Sequence, residues 1–326
     1  MEQVKKNIDA AMGRIKVDLV LKNAKFINVF TESIDIGDIA IVDDVIVGIG
    51  DYNGITEIDC SDFYVAPGFI DAHVNIESSM ITPNLFGKVV IKKGITTIIA
   101  DPHEIANVEG MYGVNSMLES SKESPIDIFF MLPSSVPATK FEDNGYVLNS
   151  ENLQELINDK GVLGLGEIMD VSSVVNKDED ILEKIVMAKN KHIDGHCSNI
   201  SINELNTCIS CGIKTDHESS NAKDALLKVS RGMYVMLKEG SVTKNLRAII
   251  PAVNNHNFGR FLFCSDERQI DDLLESGSID NCIRISIRQG LNPIKAFIMA
   301  SYNAARCYGL VDRGRSEEHT SELQSQ

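Results

Sequence analysis

No run of about 18 apolar residues occurs in the 326-residue chain, so no membrane-spanning helix is expected. Clusters of Lys or Arg are also missing, and the formal net charge is −16. Capture of nucleic acid or an anionic membrane by charge is therefore not expected, whereas a neutral or cationic small substrate suits that sign. The N-terminus is polar and charged and lacks the apolar core of a signal peptide. Cysteines are sparse and scattered, at 60, 197, 208, 211, 264, 282 and 307. Their odd number and spacing favour reduced thiols in the cytoplasm over a disulfide framework. Cys208-Ile-Ser-Cys211 is a CxxC without a second pair and reads as structural. No internal repeat or low-complexity stretch interrupts the chain. With 43% hydrophobic and 24% charged residues, it has the composition of a globular protein with a large core.

What is present divides at Pro67. Val4, Ile8, Met12 and Ile15 recur at helical spacing, predicting a short amphipathic helix over 3–15. Short β-runs follow at 19–21, 26–29, 39–42 and 45–49, punctuated by Gly37-Asp38, Asp43-Asp44 and Asn53-Gly54. Residues 1–67 thus read as a helix and a small β-domain resembling a sandwich. Beyond Pro67, apolar strands alternate with helical segments, at 69–76, 95–101, 127–136, 161–169, 191–197, 213–218, 234–239 and 261–267. Eight βα units predict an α/β fold, a closed (β/α)8 barrel over 68–310. An open doubly wound sheet is the runner-up, but no Gly-rich phosphate loop follows its first strand. Ser201 with Glu204 three residues on marks the start of one inter-strand helix, over 201–211.

The active site of such a barrel lies at the C-terminal ends of its strands. There the sequence places His73-Val-Asn75, Asp101-Pro-His103-Glu104, Gly166-Glu167, Gly195-His196-Cys197, Asp216-His217-Glu218 and Ser265-Asp266-Glu267-Arg268. Imidazoles with carboxylates suit Zn(II), Fe(II) or Mn(II). A carboxylate between two ligand sets can bridge two metals, and such a pair activates water. Each residue alone could merely cap a loop; together they indicate a metal-dependent hydrolase.

These segments resemble the amidohydrolase superfamily, whose pattern at residues 65–80 is His-x-His. Within it, several runs resemble the adenine deaminases: Ile76-Glu-Ser-Ser-Met80, Ala100-Asp-Pro-His-Glu-Ile-Ala-Asn-Val108, Gly166-Glu-Ile-Met169, Asp194-Gly-His196, Thr215-Asp-His-Glu218, Tyr234-Val-Met-Leu-Lys-Glu-Gly240 and Cys264-Ser-Asp-Glu-Arg268. The resemblance extends from about residue 14 to Gly314. It implies a TIM-like barrel of the metal-dependent hydrolase type and a binuclear Mn(II) or Fe(II) centre, with Zn(II) also compatible. His73 and Asp266 would hold the first metal, Glu167 would bridge, and His196 and His217 would hold the second. Hydroxide would attack C6 of free adenine, giving hypoxanthine and ammonia in purine salvage, with Asp266 moving the proton. Glu77, His103 and Glu104 would contact substrate or support the ligands. The partners implied are adenine and water, with no nucleic acid and no membrane, in a cytoplasmic homo-oligomer, a dimer. The base-flipping zinc deaminases use His-x-Glu with Pro-Cys-x-x-Cys, which is absent here.

Two departures stand out. Position 75 is Asn where the family has His, and a neutral amide oxygen is a weak ligand. The family's chain also continues further, returning to complete the small β-domain. Residues 311–314 look like the start of that return, and 315–326 resemble a translated sequencing adapter, so the β-domain is expected to lack strands. Activity of this chain is expected to be impaired. Rival readings are an amidohydrolase acting on another cyclic amidine or amide, and a catalytically silent binding barrel.

Overall fold

The computed structural model describes residues 1–139, 141–315 and 323–325. The chain divides into two compact units, residues 1–69 with 292–326 and residues 70–291. These divisions fall at 69/70 and 291/292, whereas the sequence places them at 67/68 and 310/311. Residues 316–322 and 326, within the segment read as an adapter-like tail, lie outside the described residues.

The first unit is organised on one long strand, β1 (Val17–Asn28). β2 (Ser33–Val42) runs antiparallel to it, and β3 (Val45–Gly50) antiparallel to β2. On the other edge of β1, β4 (Gly54–Asp59) pairs with its first half and β5 (Tyr64–Pro67) with its second, both parallel. The polar step Lys22-Asn23-Ala24-Lys25 reads as a break between two strands. In the structure it is a register shift inside one strand, where Asn23 adopts φ 55° and donates its backbone N–H to Asp38 Oδ1 at 2.9 Å. Asn tolerates this left-handed conformation because its short polar side chain bonds locally. Alternation along the strands feeds two apolar clusters. Leu21, Phe26, Ile39, Ile46 and Val65 form one; Val17, Val20, Ala40 and Val42 form the other, with Ala10 of the helix Glu2–Ala11. The helices Pro293–Ala300 and Tyr302–Tyr308 belong to this unit, through Phe297 against Phe69 (ring centroids 5.7 Å apart) and Tyr302 against Phe30 (5.4 Å).

The second unit is a (β/α)8 barrel. Its strands are β6 (Phe69–Asn75), β7 (Ile95–Ala100), β8 (Asp127–Leu132), β9 (Val162–Ile168), β10 (His192–Gly195), β11 (Thr215–Asp216), β12 (Tyr234–Lys238) and β13 (Phe261–Cys264). All eight predicted strands are in place. A two-residue continuation of the last strand, β14 (Asp266–Glu267), pairs parallel with β6 and closes the ring. Lys214 N–H to Ile193 O, at 3.0 Å, bridges β10 and β11. Every residue of β6 and of β13 is buried, as parallel strands covered on both faces require. Phe86, Phe130, Phe261 and Phe263 are fully buried, each contributing about 1.5–3 kcal/mol by leaving water. Last, β15 (Leu323–Ser325) runs antiparallel to β5. Among the described residues no helix is long and apolar enough to cross a membrane.

Candidate metal centre

The C-terminal ends of β6, β9, β10, β11 and β14 converge on the carboxylate of Glu167. Its Oε2 lies 2.6 Å from His196 Nδ1 and 3.1 Å from His217 Nε2; its Oε1 lies 3.6 Å from His73 Nε2. Asp266 Oδ1 stands 3.5 Å from the same His73 nitrogen. The His73 and His217 rings stack with centroids 4.3 Å apart. All five residues expected to ligate metal are therefore brought together.

The chain places these groups by local means. Gly166 precedes Glu167 because a Cβ there would overlap the Asp101 carboxylate, whose Oδ2 accepts the Glu167 N–H at 3.0 Å. Ser134 Oγ donates to the Glu167 carbonyl at 2.7 Å. At the other side of the ring, Asp266 adopts φ 54°, an unfavourable conformation for a side chain with a Cβ. The backbone before it is fixed by Asp71, which accepts Ser265 N–H at 3.0 Å and Ser265 Oγ at 2.5 Å. Burial pushes the Asp71 carboxyl up to about 6 against these bonds.

Three residues not singled out in the sequence also hold the site. Lys238 donates to Asp266 Oδ2 at 2.7 Å and to Glu218. Lys228 bridges Cys197 O and Asp216 Oδ2, both at 2.7 Å, and so ties together the backbones beside His196 and His217. Asn245 donates to the His217 carbonyl at 2.8 Å. A lysine ending an apolar strand, as in Tyr234-Val-Met-Leu-Lys238, is the one local signal that could have marked any of them.

Asn75 sits where the resemblance calls for His. Its Nδ2 donates to Asp266 Oδ1 at 3.0 Å, and its buried Oδ1 has no hydrogen-bond partner among the described residues. Glu77 Oε1 accepts the Ile105 N–H at 3.1 Å, while its buried Oε2 has no hydrogen-bond partner among the described residues, and Glu104 Oε1 accepts Ser78 Oγ at 3.0 Å. These bonds join the turn Ile76–Ser79 to the helix His103–Ser121. Burial, aided by Glu104, raises the Glu77 carboxyl to about 7. His103, in contrast, reaches the centre, with Nδ1 3.5 Å from Glu167 Oε1. Cys208 and Cys211 join no cluster of metal donors, and no cysteine forms a disulfide, among the described residues.

The electrostatics are those of a cluster short of positive charge. Burial opposes protonation of His73, but the carboxylates of Asp266, Glu167 and Asp101 overcome it and raise its pKa to about 10. Burial disfavours the Glu167 and Asp266 carboxylates as anions, yet the facing imidazoles hold both below the usual range, with Lys238 assisting at Asp266. Around His73 the geometry fits a cation better than a hydrogen-bonded network, whereas His196 Nδ1 and Glu167 Oε2 are hydrogen-bonded to each other. Neither His73 ring nitrogen has a hydrogen-bond partner among the described residues, although His73 is only 1% exposed. Gaps of 3.5–3.6 Å are too long for hydrogen bonds. Donors about 2.1 Å from one ion in a tetrahedral array stand about 3.4 Å apart, which matches them. His73, Glu167 and His217 form one donor group and His196, His217 and Glu218 another. The donor set fits a divalent metal.

A barrel with imidazoles and carboxylates gathered at its C-terminal strand ends defines a metal-dependent hydrolase type of site. Residues 64–317 match the Amidohydrolase family, and the chain belongs to that family. It is 50% identical over 309 residues to "Adenine deaminase" of Clostridium acetobutylicum, covering 94% of this chain and 54% of that protein. To "Adenine deaminase" of Bacillus subtilis (strain 168) it is 44% identical over 315 residues, covering 96% and 55%. The chain thus spans about half the length of the curated relatives it matches. A crystal structure of an adenine deaminase superposes with a TM-score of 0.67 at 15% identity, covering 95% of this chain and 90% of that one. A β-aspartyl dipeptidase from Fervidobacterium islandicum AW-1 gives the same TM-score at 18% identity, covering 93% and 90%. At those identities the likeness concerns the fold.

Proposed function

We propose that this chain carries the catalytic barrel of a metal-dependent adenine deaminase, converting adenine and water to hypoxanthine and ammonia. One observation carries the reading. The Glu167 carboxylate is shared among His73, His196 and His217, beside Asp266, in a chain half identical to proteins of that name. In this reading His73 and Asp266 hold a first divalent ion, His196 and His217 a second, and Glu167 lies between them. Mn(II) or Fe(II) suits the mixed imidazole and carboxylate donors, with Zn(II) an acceptable substitute. When bound, the metal pair supplies Lewis-acid activation of the attacking water.

The rest of the work falls to the side chains. Asp266 is ionised at neutral pH because His73, His217 and Lys238 stabilise its anion. It therefore acts first as a base, taking a proton from the water whose oxygen adds to C6. It then returns that proton to the departing exocyclic amine. The second proton of the water passes from the new hydroxyl to N1, the C6–N bond breaks, ammonia leaves, and the ring keeps a carbonyl at C6. Lys238 fixes Asp266 Oδ2, leaving Oδ1 to face the reacting centre. In this chain Asn75 Nδ2 occupies that oxygen, which competes with proton transfer as well as removing a ligand. The reading also places the protein in the cytoplasm as a homo-oligomer, for which a dimer mass by light scattering is the expected result.

The test is metal content and ammonia release from adenine, for this chain, Asn75→His and Glu167→Gln. Asn75→His is expected to raise both at least tenfold, since even indirect ligand supports are worth about that much. Glu167→Gln is expected to lose both. An Asn75→His chain that binds no metal would end the metal reading, and ammonia released only from another cyclic amidine or amide would reassign the substrate. Asn75 itself favours a second reading, a catalytically silent binding barrel. Thermal stabilisation by adenine without turnover, persisting in Asn75→His, would support it.

A further inference from the structure

Two acceptor-rich groups beside the centre are not used by the scheme above. Asp101 ends β7's continuation and is 1% exposed; its Oδ2 is taken by the Glu167 N–H, but its Oδ1 has no hydrogen-bond partner among the described residues. His103 opens the next helix, and its Nδ1 also lacks a hydrogen-bond partner among the described residues. That nitrogen lies 3.5 Å from Asp101 Oδ1 and 3.5 Å from Glu167 Oε1. The three donors form a compact group, every atom within 4.8 Å of the others. Neither 3.5 Å gap is a hydrogen bond, and both match the edge of about 3.4 Å between donors around a single tetrahedral ion. Two carboxylates facing one imidazole also leave a net negative corner that a divalent cation balances. Glu167 Oε2 faces His196 and His217, whereas Oε1 faces both His73 and His103, so the His103 corner is distinct from the His196 and His217 corner and shares Oε1 with the His73 corner.

We propose that Asp101 Oδ1, His103 Nδ1 and Glu167 Oε1 form a third divalent-cation position, beside the two of the proposed centre and reached from the β7 side. One imidazole and two carboxylates suit Mn(II) or Fe(II). The position rests on the metal reading above only through Glu167. In a chain whose first corner carries Asn75, it supplies an Asp just after β7 and a His from the start of the following helix.

The experiment is an Mn(II) titration of the full chain, followed by the EPR signal of free Mn(II) and by metal content after dialysis. Wild type is compared with His103→Ala, Asp101→Asn and His217→Ala, each checked for native melting. Asp101→Asn keeps the acceptor for the Glu167 N–H and stands in if His103→Ala does not fold. Both are expected to bind one equivalent fewer than wild type, or to bind it at least tenfold more weakly. Stoichiometry and affinity unchanged in both, while His217→Ala loses metal, would overturn the third position and leave the two-metal reading intact. Wild type binding no Mn(II) would overturn both.

Discussion

In the barrel unit, Lys184, Lys228, Lys238 and Arg268 are each 1–3% exposed. In the other unit, the cations paired within residues 1–69, Lys6, Arg14 and Lys22, keep 40%, 60% and 26% of their side chains in solvent. A buried charge is costly unless every donor is met, and these are met densely. Lys228 alone reaches Cys197 O, Asp216, Ser219 and Asp224. The barrel accepts that cost where backbone must be fixed to aim histidines and carboxylates. The β-unit has nothing of the kind to aim. Its residues 1–69 are held by two apolar clusters and trimmed by ion pairs whose cations keep contact with solvent, and they leave Ile36, Ile55 and Tyr64 more than half exposed. An apolar groove of about 500 Å³ between Ile27, Phe63 and Phe297 adds to that unspent surface. The barrel thus adds buried, densely met charges to its apolar core, whereas residues 1–69 keep their paired cations partly in solvent.

Breaking the clamp should cost most. Lys228→Met strands Asp216, which is 0% exposed, and is expected to cost about 3–5 kcal/mol in denaturant unfolding. Because Lys228 holds the backbone beside His196 and His217, bound Mn(II) should fall with it. A loss under about 1 kcal/mol with metal retained would show that the buried lysine is incidental. Ile46→Ala tests the other unit. Ile46 is 1% exposed in the cluster with Leu21 and Ile39, and a loss of about 3 kcal/mol is expected. Its metal content should stay at the wild-type level, since Ile46 touches no part of the donor set. Coupled loss of metal would break the contrast between the units.

The same contrast explains what the sequence disclosed. Parallel strands buried on both faces are apolar runs ending in polar donors, so all eight were legible, and with them His73, Glu167, His196, His217 and Asp266. The capping box was legible because it is local: Ser201 Oγ accepts the Glu204 N–H and Glu204 Oε2 accepts the Ser201 N–H. Ser201→Ala should cost about 1 kcal/mol by the same denaturation assay. Lys228, Lys238 and Asn245 were not legible as site residues, since their partners come from neighbouring strands and loops distant in sequence: Lys238 meets Asp266 across 28 positions. β4 and β5 were missed because Thr56, Glu57 and Asp59 are exposed and polar on an edge, and Pro67 ends a strand of only four residues. The affinity of 293–308 for the first unit was missed because amphipathic helices look alike, whichever core they cover.

The smallest effect concerns an ion pair of the β-unit and fixes the sign of its pH dependence. Asp38 accepts from Lys22 and from the Asn23 N–H. Burial works against the anion, but these donors outweigh it and hold the carboxyl below its ordinary 3.8, while Asp38 and its neighbours raise Lys22 above 10.5. A carboxyl lowered on folding stabilises above its unfolded pKa and loses that contribution as pH falls through its folded pKa. A lysine raised on folding stabilises below 10.5 and loses its contribution above the folded value. The pair therefore acts across the whole range between, and Asp38→Asn should lower the denaturation midpoint at pH 7 by less than Ser201→Ala does. The gap between Asp38→Asn and wild type should close as pH drops below 3.8, and high salt should narrow it at neutral pH. A gap that widened on acidification would mean that burial, not Lys22, governs Asp38, and that the β-unit handles this charge as the barrel handles its own.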